Sequence, residues 1–456
     1  NADLLQKRLG RLNRFGLGTS FRDGKDAGTD PRGWVKAQIR QARRVPARLS
    51  GFRTSDDLIT DIYIAGLERD SRAKREIVQK LRKEFDAEID ARGQEMISTH
   101  TPFAERMVMF WSNHFTVSTA NHKIAPAVAS FEREAIRPHI FGRFVDMLKA
   151  ATRHPVMLEY LDNHVSVGLN SAAGQRRVAR NGVETTLNEN HARELLELHT
   201  LGVNGGYDQT DIVELAKALS GWSHGGIAKG NDADTIHGRF DFKDIFHEPG
   251  PKTVLGKTYR ENGEAEGLAI LEDLAASPST ARFLATKLVR HFVADHPPRN
   301  AVDQIAAVYM KTGGDLAEVS KALVDLEAVW AEPQPKVKSH YELVLAVHRA
   351  SSERELASGD LLAPLEALGH VPFSAPSPAG WADTASAWIA PEALMRRVEW
   401  LRSFSSAMPS MRFPGKFLDD TIGPIASDET RNWVSRAPSQ DVALAAILAS
   451  PEFQRR

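Results

Sequence analysis

Apolar residues recur at helical spacing along almost the whole of this 456-residue chain, and the pattern gives way clearly only once. Leu58, Ile62 and Ala65, then Ile77, Leu81, Phe85 and Ile89, then Leu284, Leu288 and Phe292, with Phe283 beside them, lie three or four residues apart. This is the mark of helices that bury one stripe and solvate the rest. Between Gly238 and Tyr259 the period shortens. Arg239-Phe240-Asp241-Phe242 and Thr253-Val254-Leu255 alternate around His247-Glu248-Pro249-Gly250-Pro251-Lys252, which predicts a small antiparallel hairpin. Length alone allows two or three domains, but the Gly/Pro-rich loops are too short for a linker and no solenoid-length repeat occurs. The expected fold is therefore mainly α: a large multi-helix single unit over 1–456, with a small inserted β-hairpin at about 223–262.

Charge and composition exclude several functions. Fifty-eight Lys and Arg against 59 Asp and Glu leave a formal charge of −1, without the basic surplus that neutralising phosphates requires, so no nucleic-acid partner is expected. No apolar run approaches the roughly 18 residues of a membrane span. The chain has no cysteine, which removes thiolate zinc sites, thiol nucleophiles, iron–sulfur clusters and disulfides. A long cysteine-free chain fits export from a bacterial cell, where a stray thiol risks mispairing, although cytosolic proteins also lack cysteine. It begins at Asn1 without methionine and without an apolar leader, which fits removal of a signal peptide and trimming of the chain equally. A periplasmic or extracellular location is the expectation.

Several stretches carry signals of their own. Leu4 to Leu12 is amphipathic and runs into Asn13-Arg14-Phe15-Gly16-Leu17-Gly18, a glycine-punctuated turn that lacks the lysine and preceding strand of a phosphate loop. Asp30-Pro31 reads as a helix N-cap and first helical position. Ser55 to about Ser98 reads as one long charged helical segment, and Phe103 to Phe115 as a more apolar helix interrupted by the polar pair Asn113-His114. A lone histidine in such a place is more often a hydrogen-bonded core residue than a ligand. Ser171 to Val183, with Arg176, Arg177 and Arg180, reads as a mobile polar loop. Ser279-Thr280 reads as the cap of the helix Ala281 to Ala294.

The richest stretch is Leu187 to Trp222. At 100° per residue, Glu189, Arg193 and Glu197 climb one side of a helix beside Asn190 and Glu194, while Ala192, Leu195, Leu196 and His199 form the opposite, apolar side. Gly205-Gly206 turns the chain, and Asp208 with Asp211 starts a second helix much as a capping box does. The polar side has two readings of equal weight on residue types alone. It is either a solvated i, i+4 ion-pair ladder or a pocket wall whose carboxylates act as acids, bases or ligands.

The motifs resemble a known family. Asn188-Glu189-Asn190, Ala192-Arg193-Glu194-Leu195-Leu196-Glu197-Leu198, Thr200-Leu201-Gly202-Val203 and Ala218-Leu219-Ser220-Gly221-Trp222 are similar to the signature of the bacterial family known as domain of unknown function 1800. Asn13 to Gly18, Phe110-Trp111 with Asn113-His114-Phe115, Tyr160-Leu161-Asp162-Asn163, His247 with Gly250-Pro251-Lys252, Ala281-Arg282-Phe283-Leu284-Ala285 with Lys287-Leu288, Ala379-Gly380-Trp381 and Ser450-Pro451-Glu452-Phe453 extend the resemblance over essentially the whole chain. It implies a family-sized, mainly helical unit and, for many members, export from the cell beside a sulfatase-like companion. It supplies no reaction. His191 and His199 stand where the family also accepts aromatic or aliphatic residues, so neither is expected to be an obligatory ligand.

On that resemblance the polar residues Asn113, His114, Asp162, Asn163, Asn188, Glu189, Asn190, Arg193, Glu194, Glu197, His247 and Lys252 are candidate site groups, with Trp222 and Trp381 as flat apolar walls. Gathered in one pocket they suit glycan chemistry, cleavage by a hydrolase or lyase. Glu189 and Glu194 are the expected acid/base pair, His114 the alternative proton carrier, and a polysaccharide or oligosaccharide the expected ligand. No cofactor is expected. A divalent metal on His114, His247 and the glutamates is the competing idea, but no metal-ligand spacing supports it. No G-x-S-x-G elbow or nucleotide loop occurs. The non-enzymatic alternative is a buried ion-pair network in a binding or assembly partner of a secreted enzyme.

Overall fold

A computed structural model describes residues 12–18, 23, 26–42, 45–182, 187–225, 237–330, 336–351, 356–357, 359–408 and 413–456. They are mainly helical, with four three-residue strands as the only paired strands among them. Those strands form two separate antiparallel pairs: β1 (Trp222–His224) with β2 (Phe240–Phe242), and β3 (Lys252–Val254) with β4 (Lys257–Tyr259). The expected small β insertion is present in this region as two short ladders. Its loop from Ser223 to Asp234 lies mostly outside the described residues, as does the amphipathic segment Leu4 to Leu12 apart from Leu12.

Local capping decides where helices start and stop. Asp30 caps Pro31–Gln41, its Oδ1 accepting from Gly33 N at 2.9 Å. Asp208 and Asp211 form a complete capping box for Gln209–Leu219. The single charged helix expected from Ser55 to Ser98 is two, Ser55–Leu67 and Ser71–Ser98, because Asp70 caps the second through Arg72 N at 2.7 Å. The polar loop expected from Ser171 to Val183 is instead a helix, Ala172–Asn181, with Ser171 as its N-cap and Gly182 in the left-handed region at φ 64°. Its arginines read as loop residues but form an exposed helical face. The helix expected from Ser279-Thr280 starts earlier. Pro278–Phe292 is capped by Ser277, and the Thr280 hydroxyl donates to Leu274 O at 2.6 Å.

The helix Pro102–His114 runs through the main core. Phe103, Met107, Val108, Phe110 and Trp111 are all buried. Phe103 meets Phe15 edge-on at 5.7 Å, Phe15 lies 5.3 Å from Trp330, and Trp111 and Phe115 pack on Phe144. Such ring pairs contribute about 0.5–1.5 kcal/mol each beyond area burial. A second apolar cluster joins Leu343, Ala346 and Val347 to Leu401, Phe417, Leu444 and Ile447.

Charges are buried with their partners. Arg137 grips Glu105 through two nitrogens at 2.8 and 2.9 Å, and Glu132 sits between Arg92 at 2.7 Å and Arg137 at 3.0 Å, with the Ser112 hydroxyl donating to it at 2.8 Å. Burial opposes ionisation of Glu132, but Arg92 and Arg137 outweigh it and hold its carboxyl down to about 2. Among the described residues no helix is long and apolar enough to cross a membrane.

Candidate functional site

The C-terminal end of Pro102–His114 opens on a cavity of about 390 Å³. Asn113 and His114 come from that helix, Lys287, Arg290 and His291 from Pro278–Phe292, and Tyr341 and Glu342 from His340–Ser351. The segment from His370 to Trp388 closes the remaining side with Phe373, Trp381 and Trp388. Asn113 straps this segment in place: its amide nitrogen donates to Trp381 O at 2.9 Å and its amide oxygen accepts from Trp381 N at 2.7 Å. The preceding residue must be glycine. Gly380 has φ +81°, and a Cβ there would stand 2.5 Å from the Asn113 carbonyl oxygen. The His370 ring stacks on Trp388 at 4.7 Å and meets Trp381 at 4.4 Å, making one aromatic wall.

His114 and Lys287 form a hydrogen-bonded pair at this cavity. Lys287 Nζ donates to His114 Nδ1 at 3.0 Å, which leaves Nε2 of the same ring to donate to His199 O at 3.1 Å. Burial pushes Lys287 down to about 8, with Arg290 adding to the effect and Asp383 opposing it. Burial, then Lys287 and His199, push His114 well below its ordinary value, so its ring is neutral. An amine held near 8 is a base available close to neutral pH.

The carboxylates of this cavity are committed. Glu342 contacts Arg106 and lies 2.7 Å from Arg456; burial opposes its ionisation, but Arg456 and Arg106 hold it well below the usual range. Asp383 accepts from His291 Nδ1 at 2.8 Å and pairs with Lys336 at 3.2 Å; the His291 hydrogen bond and the charges of Lys336 and Arg456 outweigh burial and keep it ionised. His291 is neutral, pushed down to about 4 by burial despite Asp383. Arg290 has no ion-pair partner among the described residues. The uncompensated charge at the cavity is therefore positive.

Of the residues expected from the sequence to share a pocket, only Asn113, His114 and Trp381 line this cavity. Glu189, Arg193, Glu194 and Glu197 sit together elsewhere, on the helix Asn190–Glu194, its Glu189 N-cap and the π-helical turn Leu195–His199 that continues it. Arg193 lies 3.2 Å from Glu189 and 3.9 Å from Glu197, and Gln209 donates to Glu189 at 2.7 Å. These groups are about one-third exposed, the ion-pair ladder that wheel geometry allows. The Glu194 side chain has no hydrogen bond among the described residues; burial and then Glu197 push its carboxyl up against the pull of Arg193. His191 and His199 face the core and are buried.

Other expected ligand-binding groups hold the chain together. Asn163 is buried and donates to both Leu219 O at 3.0 Å and Trp222 O at 2.9 Å. Asn188 donates to Asp162 O at 2.8 Å, and its own amide oxygen accepts from Asn190 N at 2.8 Å, while the Asn190 side chain is exposed. Trp222 is wholly buried against Phe240 and Gly267, a core residue, not an exposed flat wall. His247 Nδ1 donates to Ser220 O at 2.9 Å, and Lys252, also buried, pairs with Glu266 at 3.0 Å and reaches His247 at 3.2 Å. With both nitrogens engaged, His114 and His247 are poorly placed as metal ligands.

A different trio has metal-ligand geometry: the ligand atoms of Glu159, His164 and His224 all lie within 4.8 Å of one another. Sequence reasoning passed over this trio and over Lys287 and Arg290. The available signals were the Glu159-x4-His164 spacing across the Asp162-Asn163 turn, and Lys287 on the polar side of an apolar-striped helix.

A family model described as "Protein of unknown function (DUF1800)" matches residues 11–455. No curated protein and no solved structure matches the chain. With a match over essentially its whole length, the chain belongs to the DUF1800 family.

Proposed function

We propose that the cavity binds an anionic sugar ring and that the protein is a glycan-cleaving enzyme of the lyase type. The observation that carries this is Lys287: a half-buried, desolvated amine near pKa 8 that donates to His114 beside the cationic Arg290. It opens on an aromatic-walled cavity whose carboxylates are already neutralised. Hydrolysis by a carboxylic acid would need a carboxyl group that stays protonated, and Glu342 and Asp383 are both held ionised. β-Elimination needs a base and a cation instead. Arg290 neutralises the uronate carboxylate and Lys287 takes the proton on the carbon beside it. The electron pair forms the new carbon–carbon double bond as the bond to the glycosidic oxygen breaks, and that oxygen takes a proton from the Lys287 ammonium or from water. Trp381, Trp388 and His370 face the ring. Export from the cell and a sulfatase-like companion are in keeping with an acidic polysaccharide substrate.

The test is a panel of uronate-containing polysaccharides, read by the ultraviolet absorbance of the unsaturated product. Cleavage that Lys287→Met abolishes, with Glu189→Gln and Glu194→Gln still active, is the expected result. An absence of both binding and cleavage across the panel, or full activity in Lys287→Met, overturns the reading.

A further inference from the structure

We infer that Glu159, His164 and His224 form a binding site for a divalent transition-metal ion such as zinc, with the Tyr63 hydroxyl at its edge. None of these residues lines the cavity described above, so this site stands apart from the lyase reading.

Three structural elements converge on the site. Glu159 belongs to the helix Pro155–Tyr160, His164 to the 3-10 turn Asn163–Val165, and His224 to β1. Asp162, at φ +55°, turns the chain between the first two, so that residues five apart in sequence aim at one point. His164 Nε2 is 3.4 Å from one carboxylate oxygen of Glu159, and His224 Nε2 is 2.5 Å from the other. Two ligands on a tetrahedral zinc at about 2.0–2.1 Å stand roughly 3.4 Å apart. The His164 pair already has that separation, and the His224 pair reaches it by a side-chain rotation of under about 1 Å.

The outer contact of His164 points the same way, while His224 Nδ1 is buried without a hydrogen-bond partner. His164 Nδ1 donates to Leu158 O at 3.3 Å, which fixes the tautomer that presents the Nε2 lone pair to the cluster. A backbone carbonyl on the far nitrogen is the usual support of a metal-bound histidine. The two imidazoles stack at 5.4 Å, and the Tyr63 hydroxyl contacts Glu159 and lies 3.4 Å from His224 Nε2. The side chains are 1–12% exposed, enough to shield the ion while leaving His164 at the way in. Two imidazoles and one carboxylate select zinc, cobalt or nickel over magnesium or calcium, which prefer oxygen ligands throughout.

The test uses the full chain, purified without a histidine tag, stripped with EDTA and passed down a desalting column after incubation with zinc chloride. One retained equivalent of zinc by elemental analysis, a melting temperature that falls on stripping and returns on reloading, and a tetrahedral visible spectrum with cobalt are expected. Glu159→Gln and His164→Ala lose the retained equivalent and the melting shift, Tyr63→Phe weakens zinc binding by roughly 10- to 100-fold, and His296→Ala, an exposed histidine elsewhere, changes neither. Less than about a tenth of an equivalent retained by the parent chain, with no melting shift, overturns the site and leaves a hydrogen-bonded Glu–His–Tyr cluster. Full zinc retention by Glu159→Gln or His164→Ala chains that are folded by circular dichroism also overturns the site, and Tyr63→Phe, which removes one hydroxyl, keeps the test open if those two fail to fold.

Discussion

Lys287 Nζ lies 3.0 Å from His114 Nδ1, joining the helix Pro278–Phe292 to the end of Pro102–His114 at the mouth of the aromatic-walled cavity. The geometry sets the tautomer of His114 and puts an amine with a lowered pKa where a ligand would sit. Its consequences can be measured.

The first consequence is a pH-dependent stability. Lys287 ionises near 8 in the fold against 10.5 as a free side chain. Between those values the unfolded chain holds a proton that the folded chain does not, so the lysine's contribution becomes more favourable as pH rises. Below about 8 its burial cost is fully present. The melting temperature of the parent relative to Lys287→Met should therefore rise from pH 8 to pH 10 and stay flat from pH 6 to pH 7. A flat difference throughout would show that Lys287 is not shifted.

Glu132 behaves with the opposite sign. Its carboxyl is held down to about 2 from 4.5, so its stabilising contribution is complete above about 4.5 and is lost as pH falls toward 2. Glu132→Gln leaves Arg92 and Arg137 buried without their shared anion and should cost about 3–5 kcal/mol at pH 7. Urea unfolding at pH 7 and at pH 3 checks both the size and its decline in acid.

Gly380→Ala tests the strap over the cavity. A side chain at φ +81° is strained, and its Cβ would collide with the Asn113 carbonyl. The loop bearing Trp381 has to move, at a cost of about 1–3 kcal/mol, and the two Asn113–Trp381 hydrogen bonds weaken with it. Trp381 fluorescence should shift, and ligand affinity in the cavity should fall much further than after Asn190→Ala on the exposed side of the helix Asn190–Glu194.

The ladder on Leu187–Trp222 is expected to matter little for stability. Glu189, Arg193 and Glu197 are about one-third exposed, and such pairs contribute about 0.2–1 kcal/mol, screened by salt. Arg193→Ala should shift chemical unfolding by less than about 1 kcal/mol, with the effect shrinking further in 1 M salt. A loss of several kcal/mol would mean that these groups hold the fold together.

How far the sequence reached depended on the range of the interactions involved. Local chemistry was legible: the apolar stripe of Ala192, Leu195, Leu196 and His199 is buried, Asp30 and Asp208 cap their helices, and alternation around Phe240 and Thr253 marked the β insertion. The stretch from Ser171 to Val183 reads as a loop in sequence because a run of arginines and alanines looks alike in a polar loop and on an exposed helix, and only the caps Ser171 and Gly182 distinguish the two.

Sequence motifs identified polar groups without saying which of them meet. Asn113 and His114 find Lys287, about 170 positions away, and Trp381, about 270 positions away, whereas Glu189 and Glu194 stay on their own helix. Glu159 and His164 are joined by His224, some 60 residues downstream. The sequence by itself determined helix periodicity, caps, the absence of thiol chemistry and family membership, because these depend on residue types a few positions apart. Only the tertiary structure decided which charges are cancelled, which amine is desolvated and which histidines converge, since burial and long-range approach set those properties.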